Sequence, residues 1–430
     1  MTKTNDPTGM TNRIRLALAP SGFLTIAQAR LAFAAQRSAR ASDGKLILRL
    51  DNLSDREDQS EALRHDLRWL GLTWDEEYRQ SGRLALHADT IARLKSAGKL
   101  YPCFEHADEL RSKRDRRIRE RKPPIYDRAA IRMTAEQREA AEAGGKRPHW
   151  RYLLSDRVIT WLDTALGRQH VELAKLSDPV VITEDGSVLP TLASALDDIS
   201  LGITHIFRGA DDLSVSAIQL DIISACGANP NRLTLTHLPA LLGEGQAKRA
   251  RDEEKLTIRQ LRHDGIEASA IAEHLTVLAK PSNTAPRLNS AHLLAANRRA
   301  LAALSFANIA PRLPAGATEA FWAVLRGQID LPSEARLWWD VVAGDITPPI
   351  IDDPAGILPE ALRALPPEPW DTRTYAACLK ALRLKTDHPH VLSIRLALTG
   401  EEHGPALDAL LPLITRARVE RRLRATMSAG

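Results

Sequence analysis

Residues 15–30 read RLALAPSGFLTIAQAR. The apolar run RIRLALA (13–19) is short, as a buried strand is. A Pro20–Gly22 turn follows. From there apolar residues recur at helical spacing to about Arg40, with Phe23, Ile26, Leu31, Phe33 and Ala34 forming the predicted stripe. Strand, turn and helix in that order make a junction where nucleotides dock, because the first amides of the helix face an incoming anion.

Working outward, KLILRLD (45–51) reads as a second strand ending in an acid. Residues 56–76 form an amphipathic pattern closed by Gly71, a second helix. Strand, helix, strand, helix at this spacing predicts a parallel sheet. Ligands sit at the carboxyl ends of such strands, so residues 17–28 and 49–54 share one candidate site. Further on, RSKRDRRIRERK (111–122) holds eight basic and two acidic residues. It reads as a solvated helix face or arm, with contact to a phosphate backbone as the sharper alternative. KPPIYDR (122–128) is a stiff, extended link. Residues 144–163 read as strands around a turn. Asp185-Gly186 marks a hairpin turn, followed by a helix and the strand ITHIFRG. From about 250 to 430 the chain reads as helical, and proline clusters near 311–316, 347–354 and 365–370 mark loops or boundaries.

The 430 residues suffice for roughly two to four domains. Apolar content of 44% with 26% charged residues excludes wholesale disorder. A net charge of +5 suits an anionic partner such as RNA. Cys103, Cys226 and Cys378 are far apart, which argues against a disulfide framework or a zinc site built on close pairs. Residues 1–15 are polar and lack a secretory core, with Met10 an alternative start; no apolar run spans a membrane. A cytoplasmic protein is expected.

Several stretches together resemble bacterial glutamyl-tRNA synthetases, members of the class I aminoacyl-tRNA synthetases. The first signature of that family, a strand and Pro/Gly turn leading into His-Ile-Gly-His, falls without gaps on residues 15–30. GKLILRLDN, LRWLGLTWDE, YPCFE, PPIYDR, RPHWRY, LSDPVVI, DDISLGITHIFRG, LPPEPWD and RLALTGEEHGPALDALLPLI follow in family order, covering residues 13 to about 425. The last of these lie in the family's helical anticodon-binding region, which argues against the shorter paralogue that glutamylates a modified base. The resemblance implies an α/β nucleotide-binding, Rossmann-like class I catalytic domain with an inserted acceptor-binding domain, followed by an all-α anticodon-binding region. It places an extension at 1–12, catalytic halves at 13–103 and 196–245, the insertion at 104–195, a stem-contact segment at 246–320 and the anticodon-binding part at 321–430. ATP with Mg2+, glutamate or another acidic small molecule, and tRNA(Glu) or a related tRNA are the implied ligands. A monomer is expected, with no zinc and no membrane.

The implied reaction joins glutamate to the α-phosphate of ATP, then moves the acyl group to tRNA. Its catalysis is positioning plus electrostatic stabilisation of phosphate charge. Here the residues depart from the family. Thr25, Ile26, Ala27 and Gln28 occupy the His-Ile-Gly-His positions, so the first imidazole is lost and Ala27 adds a Cβ. The second signature, Lys-Leu/Met-Ser-Lys-Arg, falls on Lys248, Arg249, Ala250, Arg251 and Asp252; a shifted register, AKRAR, also lacks the Ser-Lys pair. Arg251 keeps charge without the compact ammonium, and Asp252 repels phosphate. Nucleotide contacts are implied at Pro20, Ser21, Gly22, Lys248 and Arg251. Substrate contacts are implied at Arg15, Ala17, Asp51, Ser194 and Arg208: guanidinium forks for carboxylates, Asp51 for the α-ammonium. Pro190 replaces an expected tyrosine. His65, His149, His205 and His403 show no metal-ligand pairing and read as satisfied structural residues. Trp338, Trp339 and Trp370 read as core, and RARVERRLRA (416–425) as a solvated face. Two functional readings follow: a ligase with atypical signatures, or a relative that has lost most adenylation while still binding tRNA or an acid. Simultaneous erosion of both signatures favours the second.

Overall fold

The structure is a computed structural model and describes residues 11–20, 22–53, 57–243, 256–347, 349–351, 356–386 and 388–427. The chain divides into two compact units, 1–261 with 272–289, and 262–271 with 290–430.

In the first unit, β1 (Arg13–Leu18), α1 (Ile26–Ala41), β2 (Lys45–Leu50) and α2 (Glu57–Trp69) alternate as the sequence predicts, and β3 (Glu76–Arg79) follows. The next elements are α3 (Ala88–Ser96), β4 (Leu100–Cys103), α4 (Ala107–Arg119), α5 (Ala135–Ala143), β5 (His149–Tyr152), β6 (Val158–Asp163), β7 (Gly167–Glu172) and β8 (Val180–Ile182). Then come α6 (Pro190–Ser200), β9 (His205–Gly209), α7 (Leu213–Ala225) and β10 (Thr234–Leu238). The main sheet has the order β10-β9-β1-β2-β3, with every neighbouring pair parallel. Strand order reverses between β1 and β9, so the crevice for a ligand opens at their carboxyl ends. Ile14, Leu16 and Leu18 lie level with Leu46, Leu48 and Leu50, and all six are buried. Each buried aliphatic side chain contributes about 1.5–3 kcal/mol relative to exposure.

Two expectations need correction, and one strand was missed. The buried stripe of α1 is Ile26, Ala29, Ala32, Ala34, Ala35 and Ala39, whereas Leu31 and Phe33 are half-buried and Phe23 lies before the helix, 42% exposed. Alanine ends at Cβ, so this face approaches the sheet closely. The strands within 144–163 do not pair with each other: β5 lies antiparallel between β4 and β8, and β6 pairs with β7. The connection between them is tied down instead of turning, because Ser155 and Arg157 both donate to the buried Asp221. β3 was not foreseen. Its sequence, EEYR, is charged and all four residues are half-buried; Arg13 grips Glu76 there through both oxygens at 2.9 and 2.7 Å.

Other local signals hold. The end of α2 carries Gly71 at φ 76°, and Leu72 N–H donates back to Leu67 O over 3.0 Å, a left-handed cap that only glycine adopts without cost. No residue of α4 is buried, which is the solvated face predicted for the basic run. Ser187 O accepts from Thr183 N–H across the turn at Gly186, φ 88°.

The second unit is helical around Phe321, Trp322, Trp338, Val341 and Leu398, with Trp339 and Trp370 packed against it. Its last helix, Arg416–Met427, is not the solvated face expected. Val419 and Leu423 are in the core, and buried Arg422 donates to Leu398 O at 2.8 Å and Gly344 O at 3.1 Å. Apolar residues four apart give that helix a buried side which its many arginines hide in the sequence. Among the described residues, no helix is long and apolar enough to cross a membrane.

Candidate active site

Strand geometry places the charged residues on one face. Side chains two apart share a face, and Ala17 lies level with Arg49 while Arg15 lies level with Ile206. Continuing that register by two residues sets Ala17 beside Arg208, and Arg208 is level with His237 on β10. A row of Arg49, Ala17, Arg208 and His237 therefore runs across the carboxyl end of the sheet, with Arg15 one layer below. The row's shortest member is Ala17. This face is packed by α6 and α7.

Arg49 is the hub of the site and was not singled out in the sequence. Fully buried, it donates to Asp51 Oδ1 and Oδ2 at 2.7 and 3.1 Å, to Asp198 Oδ1 at 3.1 Å and to Ser194 Oγ at 2.8 Å. Burial alone would lower its pKa, but Asp51 and Asp198 raise it above the ordinary arginine value. The neighbouring Asp197 faces the other way and accepts from Arg83 at 2.7 Å and Gln80 at 3.0 Å, with His87 Nε2 at 2.8 Å. Although burial raises the Asp197 carboxyl, His87 and Arg83 hold it below the usual range. A signal for this hub existed. An arginine inside the apolar strand KLILRLD must meet buried acid, and Asp197-Asp198 sits inside the apolar helix LASALDDIS.

Arg15 is less satisfied. Its Nε lies 3.3 Å from Asp198 Oδ1 outside hydrogen-bonding geometry, and both Arg15 Nε and Asp198 Oδ2 are buried with no hydrogen-bond partner. Burial pushes Arg15 down to about 9; Asp198 opposes this, and Arg49 and Arg208 add to it. Arg208, also lowered by burial, donates to Ser216 Oγ at 3.1 Å and to Gln219 Oε1. Arg15, Arg49 and Arg208 thus face Asp51 and Asp198, and Asp197 Oδ2 also lies 3.9 Å from Arg49 Nη1. The structure brings together Arg15, Ala17, Asp51, Ser194 and Arg208, while Asp51 and Ser194 are already engaged by Arg49.

The start of α1 is arranged differently. Thr25 caps the helix: Gln28 N–H donates to Thr25 Oγ1 at 3.2 Å, and Gln28 Oε1 accepts from Thr25 N–H at 3.0 Å. This reciprocal box is what a threonine followed by glutamine three residues later forms. Ile26 N–H donates to Leu256 O at 2.8 Å, and Ile258 N–H returns a bond to Leu24 O at 2.8 Å. Three of the amides that would face a phosphate, those of Thr25, Ile26 and Gln28, are therefore taken by protein groups. Pro20 is buried and Gly22 exposed; a Cβ on Gly22 would meet nothing within 4 Å. Ser21, Lys248, Arg249, Ala250, Arg251 and Asp252 lie outside the described residues. As a binding site for an ATP phosphate, the described helix start fits poorly. Of the four histidines expected to be satisfied, His149 departs: its Nε2 is buried without a partner. Among the described residues, no three or more His, Cys, Asp or Glu side chains are grouped to hold a metal ion.

The profile of the family described as "tRNA synthetases class I (E and Q), catalytic domain" matches residues 12–289. The chain belongs to this class I synthetase family. Its relatives include glutamate–tRNA ligase 2 of Gluconacetobacter diazotrophicus, 45% identical over 442 residues, covering 96% of this chain and 99% of that one. Glutamate–tRNA ligase 2 of Granulibacter bethesdensis is 43% identical, covering 97% and 99%. Class I architecture is also seen in the crystal structure of glutamate-tRNA synthetase from Elizabethkingia anophelis, with a TM-score of 0.81 at 18% identity over 97% of this chain and 100% of that one. In this class I synthetase the crevice described above lies within the matched catalytic region.

Proposed function

We propose that this synthetase-like protein binds glutamate, or a closely related acidic amino acid, in the crevice and binds a tRNA, and that it forms the aminoacyl-adenylate slowly or not at all. The observation that carries the first part is the under-partnered Arg15 beside Asp198, where Arg15 Nε and Asp198 Oδ2 are both buried without a hydrogen-bond partner. A dicarboxylic amino acid carries one net negative charge and supplies carboxylates for the forks of Arg15 and Arg208. Ala17 leaves room between the flanking guanidinia. Asp51 receives the α-ammonium on the lone pairs that Arg49 does not use, and Ser194 holds Arg49 in place.

What supports the second part is the capping box at Thr25 and Gln28. ATP with Mg2+ would be met by Pro20, Ser21, Gly22, Lys248 and Arg251, and its phosphates would have to displace bonds that the helix start makes within the protein. Losing one good transition-state donor costs about 2.7–4 kcal/mol, a rate factor of about 100 to 1,000. Residues 104–195 would receive the acceptor end of tRNA(Glu) or a related tRNA, and 321–430 its anticodon. The protein would act as a cytoplasmic monomer.

A second reading, a working glutamate–tRNA ligase, is favoured by relatives that match end to end and carry that activity in their names. Glutamate-dependent ATP–pyrophosphate exchange, with and without tRNA and beside calorimetric L-glutamate binding, separates the two. The proposal expects binding with exchange at background. Rapid exchange and charging would establish the second reading, and no binding of glutamate would remove the first part.

A further inference from the structure

His237 stands at the end of the row that carries Arg208, and both its ring nitrogens are engaged. Nδ1 lies 2.6 Å from Asp163 Oδ2, and Nε2 lies 2.8 Å from Ser216 Oγ. Ser216 Oγ accepts from Arg208 Nη1 at 3.1 Å. Ser216, His237 and Asp163 are all buried, exposed by 2%, 1% and 2%.

The direction of the His237–Asp163 bond follows from the Asp163 end. Asp163 also accepts from the backbone N–H groups of Ala165, Leu166 and His237. Burial raises its carboxyl, yet His237 and these amides hold it below the ordinary range. An ionised Asp163 only accepts, so His237 carries a proton on Nδ1, and in the neutral ring Nε2 is the acceptor. With that ring Ser216 gives its O–H to Nε2, and in either case its lone pairs face Arg208, which can only donate. The bonds link Arg208 through Ser216 and His237 to Asp163.

Serine, histidine and aspartate in this order have the connectivity of a nucleophile with its base and orienter. Ser216, however, is buried and its oxygen already accepts from a guanidinium, so no substrate carbonyl reaches it. What the arrangement does is hold Arg208. A second brace comes from Gln219, whose Oε1 accepts from Arg208 Nη2 and whose Nε2 donates to Thr191 O at 3.3 Å. Asp163 ends β6, and the adjoining Thr164 N–H donates to Leu235 O at 3.0 Å, so the β6–β7 hairpin is anchored where the chain of bonds terminates.

We infer that Ser216, His237 and Asp163 are positioning residues that set the orientation in which the Arg208 guanidinium meets a substrate carboxylate. This rests on the reading of Arg208 as a carboxylate anchor. Removing the serine hydroxyl leaves an Arg208 N–H and a His237 nitrogen unpartnered and frees the guanidinium to rotate.

Two measurements on the full-length protein test this. Calorimetric binding of L-glutamate is expected to weaken about tenfold in Ser216→Ala and to recover to within about twofold in Ser216→Thr, which restores the hydroxyl. In an Arg208→Lys background, Ser216→Ala is expected to add less than about twofold, because it acts only through Arg208. The Arg208 side-chain Nε–H resonance, assigned by its loss in Arg208→Lys, is expected to broaden in Ser216→Ala and to sharpen again in Ser216→Thr. Fully additive losses, or an Arg208 resonance unchanged in Ser216→Ala, would overturn the inference. If glutamate does not bind, or binds Arg208→Lys as well as the wild type, the anchor reading fails instead, and the resonance alone still decides whether the serine positions Arg208.

Discussion

The crevice floor and the start of α1 lie at the same end of the same sheet, yet they treat their polar groups in opposite ways. The floor gathers Arg15, Arg49 and Arg208 against Asp51 and Asp198 and leaves Arg15 Nε and Asp198 Oδ2 without partners. At the helix start, Thr25 and Gln28 satisfy each other, and Ile26 is bonded to Leu256. Both regions are polar. Among the described residues of these two regions, the unpartnered buried groups lie in the floor, and the proposed binding there rests on that incompleteness more than on polarity.

The comparison breaks most sharply at Arg49. Replacing it in Arg49→Met leaves Asp51 and Asp198 without their shared cation. Stability is expected to fall by about 3–5 kcal/mol, as when one partner of a buried ion pair is removed. Urea unfolding measures this, and a loss below about 1 kcal/mol would mean that Arg49 is not the hub of the floor. At the helix start, Thr25→His with Ala27→Gly reopens the signature and restores one donor. Glutamate-dependent pyrophosphate exchange is expected to rise at least tenfold, a cautious share of the roughly 100- to 1,000-fold that one donor supplies. No rise would mean that the start of α1 does not limit the exchange.

A smaller effect separates capping from binding. Thr25→Ala removes only the cap and is expected to cost about 1 kcal/mol in thermal unfolding. L-Glutamate affinity should stay unchanged; a weakened affinity would show that the two regions are coupled. The smallest effect lies at the opposite, amino-terminal edge of the sheet. Glu76 is held down to about 2 from its ordinary 4.5, chiefly by Arg13, with Tyr78 and Lys45 assisting against burial. Because the folded pKa is the lower one, this stabilisation is complete above pH 4.5 and disappears as pH falls towards 2. Glu76→Gln should flatten the acid limb of a stability–pH curve while leaving glutamate binding intact.

Much of the first unit was legible from the sequence. The order of β1, α1, β2 and α2, the glycine cap at Gly71 and the hairpin turn at Asp185-Gly186 all follow from local periodicity and backbone preference. The convergence of Arg15, Asp51 and Arg208 was implied by the family resemblance, not by local pattern. Reading was weaker where packing overrides pattern. Alanines, not Leu31 and Phe33, face the sheet from α1. β3 escaped notice because EEYR is charged, and Arg13 reaches its Glu76 from a strand two places away in the sheet. In the last helix, Val419 and Leu423 were hidden among arginines.

By itself, the sequence determined the class I framework, the spacing of its strands and helices, and the replacement of signature residues at Thr25, Ala27 and Gln28. These are matters of residue type and local chain geometry. Only the tertiary structure decided what those residues do. Arg49 meets Asp198 across 149 positions, and Ser216 meets His237 across 21; such encounters depend on strand register and helix packing, which no local pattern encodes. The same holds for the helix start. Thr25 and Gln28 form a cap by sequence preference, but Leu256 reaches the Ile26 amide only because the chain returns there after β10. A hydrogen bond made within the fold is one that a ligand must displace, so the tertiary contacts distinguish a floor with unpartnered buried groups from a helix start whose amides are already bonded.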